Sequence, residues 1–201
     1  MKKYINKFYT FSLIIITLIF ISSCSEDVTA PAEENEEEVI TDVKLIFTNS
    51  SNASDIVEAR AQDPDGTGVK ELQILDSIIL SSNTTYNLTF EIMNNLETPG
   101  EDIGAEILRE GTEHQIFFGF IPSFSSPSGS GNIDYSGPIN YGDTDANGNP
   151  IGLKSSWTTF GGLALFDFTV RLQHQPDIKT SSTGANDGDT DFELSFKLWI
   201  L

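Results

Sequence analysis

The chain has 201 residues, 30 of them acidic against 11 basic, with two histidines and a net charge of −19 at neutral pH. A surface this acidic repels nucleic acid and anionic headgroups and attracts cations, so no nucleic-acid partner is expected. The single cysteine excludes an intrachain disulfide and any cysteine-based metal site.

The N-terminus reads as an address. Lys2, Lys3 and Lys7 precede the apolar run "FSLIIITLIFI" (11–21), which is short for a membrane span, and "ISSC" ends it at Cys24. The pattern resembles a bacterial lipoprotein signal, cut before a cysteine whose thiol and amine are then lipidated (palmitate-type chains). The alternative is an uncleaved anchor helix. The predicted organisation is a signal peptide at 1–23, an acidic tether at 24–38 and one domain at 39–201. Several acyl chains on Cys24 bury enough methylene for stable outer-membrane anchoring without a spanning helix. The tether "SEDVTAPAEENEEEV" has seven acids in fifteen residues and no apolar periodicity, so it reads as solvated chain. Glu26 and Asp27 resemble a surface-export signal; an ordinary linker facing the periplasm is the other reading. Removing residues 1–23 takes away three lysines and no acids, leaving 8 basic against 30 acidic residues over 178, a net −22.

From there the chain alternates. "DVKLIFT" (42–48) places Val43, Leu45 and Phe47 on one face, and "DIVEARAQ" (55–62) follows before the turn "DPDGTG" (63–68). "TTYNLTFEIMNN" (84–95) places Tyr86, Leu88, Phe90 and Ile92 inward. In "TPGEDIGAEILREG" a helix is expected with Thr98 as N-cap, Pro99 and Glu101 in its first turn, Ile103 and Ile107 on one face and Gly111 beyond its end. "EHQIFFGF" (113–120), a strand opened by Trp157, "LFDFTVRLQH" (165–174) and "DFELSFKLWI" (191–200) complete the pattern. Period-two runs between Gly, Asn, Asp and Pro turns predict an all-β chain, an antiparallel immunoglobulin-like β-sandwich with one short crossover helix. The Gly/Ser/Asn-rich stretch 121–156, with Phe124, Tyr135 and Tyr141, is expected to be a long functional loop.

Two constellations carry chemistry. His114 shares a face with Ile116, Phe118 and Phe120; His174 shares one with Phe166, Phe168, Val170 and Leu172. If the two strands pair antiparallel with 118 opposite 170, then 114 falls opposite 174 at one rim. Two imidazoles with a carboxylate such as Glu113 suit zinc or copper; core-edge histidines bonded to backbone or glutamine are the plainer alternative. In "DTDANGNPIG", Asp143, Asp145 and Asn147 occupy positions 1, 3 and 5 of a calcium loop, with Gly148 at the turn. Lys154 stands where the bidentate glutamate belongs, so the pattern is not an EF-hand, and Asp, Asn and Gly are also what plain turns select. No G-x-S-x-G elbow, P-loop, G-x-G-x-x-G or H-E-x-x-H is present, and the chain reads as a non-enzyme.

"EEEVITDVKLIFT", "DPDG", "NTTYNLTFEIMN", "EHQIFFGF", "NIDYSGPINYGDTDANGNPIGL" and "RLQHQPDIK" together resemble a family of small cell-envelope lipoproteins found beside TonB-dependent outer-membrane receptors. Members are catalogued as "type 1 periplasmic binding fold" proteins, a label that implies two α/β lobes; this chain is too short and strand-rich for them. The resemblance implies a binding protein accessory to TonB-dependent uptake of a scarce nutrient, a transition metal or its chelate among the candidates. The alternative is a calcium-stiffened structural or adhesive surface module.

Overall fold

The computed structural model describes residues 38–63, 65, 71–96, 98–120, 133 and 140–201. Expectations on Cys24 and residues 1–37, on Phe124 and Tyr135, and on most of "DPDGTG" lie outside them.

Alternation decides which face of each long strand is buried. The elements in chain order are β1 (Asp42–Asn49), β2 (Ile56–Gln62), β3 (Gln73–Ile74), β4 (Ile78–Leu80), β5 (Thr85–Asn94), β6 (Glu101–Asp102) and α1 (Ile103–Arg109). Then come β7 (His114–Gly119), β8 (Asn140–Tyr141), β9 (Lys154–Thr158), β10 (Ala164–His174) and β11 (Asp189–Ile200). One sheet runs β3-β2-β1-β5-β9-β8, with β6 on the end of β5; the other runs β4-β11-β10-β7. The two face each other as an all-β sandwich. Val43, Leu45 and Phe47 of β1 and Phe192, Leu194, Phe196, Leu198 and Ile200 of β11 point into it.

Large aromatic rings fill the centre. Trp157 packs edge-on against Phe118 at 5.2 Å and Phe168 at 5.1 Å between ring centres, and Phe47 meets Phe168 at 6.0 Å. Each such ring, fully buried, contributes on the order of 1.5–3 kcal/mol, and Phe168→Ala would cost about 3–5 kcal/mol.

The structure corrects the sequence reading in four places. The sandwich is not wholly antiparallel: β4 runs parallel to β11, with Ile78 opposite Leu198. The helix starts later than expected. Glu101 and Asp102 are drawn into a ladder with Asn94 and Met93, so the N-cap is Asp102, whose side chain accepts from the Ala105 backbone N–H at 3.0 Å. Thr98, Pro99 and Glu101 lie before the helix. Trp157 comes near the end of its strand, not the start. Within 121–156, residues 140–156 are largely ordered into β8, β9 and the bridge Thr144–Pro150. Glu38, which the sequence reading gives to the tether, is buried against His114.

The 140–153 segment closes one side of the sandwich. The Ile116 N–H donates to the Ile151 carbonyl at 2.7 Å, which ties β7 to the other sheet's loops. Gly152 makes this approach workable: its φ is +100°, and a Cβ there would sit 2.9 Å from the Ile116 carbonyl. Tyr141 adds a hydroxyl hydrogen bond to that same carbonyl at 2.9 Å. Among the described residues, no helix is long and apolar enough to cross a membrane.

Candidate functional site

The pairing of β7 with β10 builds the site. Its register sets Val170 opposite Phe118 and His174 opposite His114, as the strand pattern predicts. Both histidines stand on the core-facing side and are buried at the rim where α1 ends and β11 begins. Their rings stack with centres 4.6 Å apart and planes 12° from parallel.

That geometry decides whether the pair can chelate. A metal binds imidazole in the ring plane, about 2.0–2.1 Å from nitrogen. Two nearly parallel planes held a ring thickness apart do not meet within such a distance. The structure therefore brings His114 and His174 together, but as a stack and not as two ligands of one ion. Glu113, the expected third ligand, lies against His174 instead: its Oε2 is 3.8 Å from His174 Nε2.

The partners of His114 are different ones. Its Nδ1 faces the Glu110 carbonyl at 3.3 Å, which can only accept, so Nδ1 carries the hydrogen. Nε2 faces Glu38 Oε1 at 2.9 Å, an ion-pair distance without the alignment of a directed hydrogen bond. The two side chains are 0 % and 8 % exposed. The second oxygen, Glu38 Oε2, is buried and accepts no hydrogen bond among the described residues. One oxygen from each of Glu38 and Glu110 and one ring nitrogen of His114 lie within 4.8 Å of one another.

Electrostatics here is a contest between burial and pairing. Burial pushes His114 down, but the Glu38 carboxylate, the charge of Asp191 and the Glu110 carbonyl outweigh it, and His114 ends above its ordinary value. Burial pushes Glu38 up, and His114 more than reverses that, holding Glu38 below the usual carboxylate range. Both shifts favour the charged forms of the two groups that face each other across the rim.

Lys179 holds this corner in place. Its side chain is 0 % exposed, and Nζ donates to the Gly111 carbonyl at 2.5 Å and the His114 carbonyl at 2.8 Å. Nζ also lies 3.1 Å from Asp145 Oδ2. It thereby pins the turn between α1 and β7 that carries Glu110, Glu113 and His114. Gly111 belongs there for packing, because a Cβ would meet Ile151 Cδ1 at 2.6 Å.

The same lysine answers the calcium expectation. Asp145 Oδ1 accepts the backbone N–H groups of Asn147 and Asn149, each at 2.8 Å, while Oδ2 faces Lys179. Asp143 Oδ1 accepts the Gly152 N–H at 2.9 Å. Asn147 is an exposed turn residue whose N–H serves Asp145. The position-3 carboxylate of the expected loop, Asp145, faces backbone donors and an ammonium and is held below its ordinary value against the upward push of burial, while Asp143 Oδ2, at position 1, is buried with no hydrogen-bond partner among the described residues. Burial dominates at Asp143 and raises it, in spite of backbone N–H donors.

Sequence reasoning missed Glu38, Glu110 and Lys179. Glu38 looked like the last acid of a solvated run, and Lys179 carried no local signal. No protein-family model, curated protein or solved structure matches this chain, so the function is argued from the site's own chemistry.

Proposed function

We propose that the chain is a lipid-anchored cell-envelope binding protein, accessory to TonB-dependent uptake of a scarce nutrient, which takes a divalent transition-metal cation at the histidine rim. The observation that carries the reading is the rim itself: two buried imidazoles inside a ring of carboxylates, Glu38, Glu110, Glu113 and Asp191, on a strongly anionic protein. A buried cation site needs opposite charge and a nitrogen donor to prefer zinc or copper over calcium and magnesium. The lipoprotein-like signal ending at Cys24 supports the anchor, and the family resemblance supports the receptor-linked setting.

The function is binding, not turnover. Calorimetric titration of the full lipidated chain in detergent with Zn²⁺ and Cu²⁺ tests it. Micromolar or tighter binding by the native chain, lost in the His114→Ala/His174→Ala double variant, is the expected result. No binding by the native chain overturns the reading.

A further inference from the structure

Which atoms would hold the ion is a separate question, and its answer departs from the two-histidine site that the strand pattern suggests. Resting on the metal-binding reading above, we infer that a single divalent transition-metal ion is held by Glu38, Glu110 and His114, with His174 and Glu113 outside its coordination sphere.

Four observations converge on these ligands. The donor atoms of the three residues already lie within 4.8 Å of one another. Ligand atoms around a tetrahedral ion at ~2.0–2.1 Å bond lengths sit about 3.3 Å apart, so the required closure is small. The His114 tautomer is the one a metal ligand needs: Nδ1–H is committed to the Glu110 carbonyl, which leaves Nε2 to coordinate. Glu38 Oε2 is a carboxylate oxygen buried without any hydrogen-bond donor, an arrangement that is costly unless something of positive charge fills the place. The stacked His174 ring cannot share the ion, for the reason of parallel planes given above.

Charge agrees with the ligand count. Two carboxylates and one neutral imidazole cancel a 2+ ion, so the occupied site is neutral in a buried setting. One nitrogen and two oxygens suit zinc and its first-row neighbours and leave a fourth position open for water or for a donor atom of a carried chelate. His174 then acts as a packing plate that orients the His114 ring. Lys179, through the Gly111 and His114 carbonyls, is a positioning residue for the two ligands on the α1–β7 turn.

The ligand set has a consequence for where the domain is cut. Glu38 lies four residues before the first residue of β1, Asp42. A protein trimmed to begin at residue 39 would lack a ligand.

The test is Zn²⁺ titration of the full chain and of Glu38→Gln, Glu110→Gln, Glu113→Gln and His174→Phe variants, each checked for folding by circular dichroism. Loss of an outer-shell partner typically weakens metal binding ~10–100-fold. Glu38→Gln and Glu110→Gln are expected to lose at least that much, while Glu113→Gln and His174→Phe bind as the native chain does. X-ray absorption of the zinc-loaded native chain should count one imidazole per ion, a readout independent of any variant's folding. Two imidazoles, or Glu38→Gln binding zinc like the native chain, overturns the inference while leaving the rim a metal site. No zinc binding by the native chain fails the underlying reading instead.

Discussion

Two acidic corners meet at Lys179, and they handle their carboxylates in opposite ways. In the 143–149 turn, Asp145 places one oxygen on two backbone N–H groups and the other against a buried ammonium. At the rim, Glu38 places one oxygen against His114 and leaves the other buried with no donor. The turn has the acid spacing of a cation loop, but its cation is a lysine of the same chain. The rim has no recognisable spacing, yet Glu38 Oε2 is buried there with no hydrogen-bond partner among the described residues, as Asp143 Oδ2 is in the turn.

Removing the internal cation should have the largest effect. Lys179→Met keeps most of the side-chain volume but leaves the Asp145 carboxylate buried and unpaired, along with two carbonyls that lose their donor. Breaking a buried pair in this way costs roughly 3–5 kcal/mol. Chemical denaturation of the variant at neutral pH should show a midpoint shift of that size. A shift within the range of a surface substitution would mean that the lysine is incidental to the corner.

Next in size is the rim pair. His114→Phe preserves a ring over His174 but leaves Glu38 facing an apolar neighbour, at a cost of about 1–3 kcal/mol for a buried group deprived of its partner. The dependence on pH sharpens this prediction. Glu38 is depressed below its ordinary 4.5, so its contribution is present above that value and is lost as pH falls through its folded pKa. His114 is raised above its ordinary 6.5, so its contribution is present below that value and is lost as pH rises through its folded pKa. The stability gap between the native chain and His114→Phe should thus be widest between pH 4.5 and 6.5 and narrow on both sides. A gap that is flat across the range would show that the pair is not ionised in the folded protein.

The difference between the corners also explains what the sequence could convey. Strands β1, β5 and β11 were legible because one side of each faces the core, and period-two alternation reports that directly. Alternation put His114 and His174 on the core face but left their register open, since a shift by two residues keeps the same face; the pairing of β7 with β10 sets them opposite each other. The helix start was not legible. Thr98 with Glu101 makes as good a local capping pattern as Asp102, and the choice was made by β5, which pairs Asn94 with Glu101. β4 offers three residues, too few for a pattern, and its parallel partner lies over a hundred positions away. Lys179 reaches carbonyls 65 and 68 positions back, so nothing in "QPDIK" marks it. Phe117 was the one neglected local signal. A phenylalanine out of phase with Ile116 and Phe118 announces a strand covered on both faces, and β7 is buried along its whole length.

The last test discriminates most cleanly between the corners, because it asks each to accept an added ion. A ligand that binds only the folded state stabilises it by RT ln(1 + [L]/Kd), about 2.7 kcal/mol at a hundredfold excess over Kd. Zinc should raise the Tm of the native chain through the rim. Calcium at millimolar levels should leave it unchanged, because the Asp145 oxygens are already matched and the rim's nitrogen donor disfavours a hard ion. Lys179→Met then serves as the control: with the ammonium gone, the oxygens of Asp145, Gly111 and His114 are left facing one point. Any calcium response should appear in that variant and not in the native chain. A calcium-raised Tm in the native protein would reverse the comparison, making the 143–149 turn a cation site in spite of its lysine and favouring the calcium-stiffened surface module over the metal-binding rim.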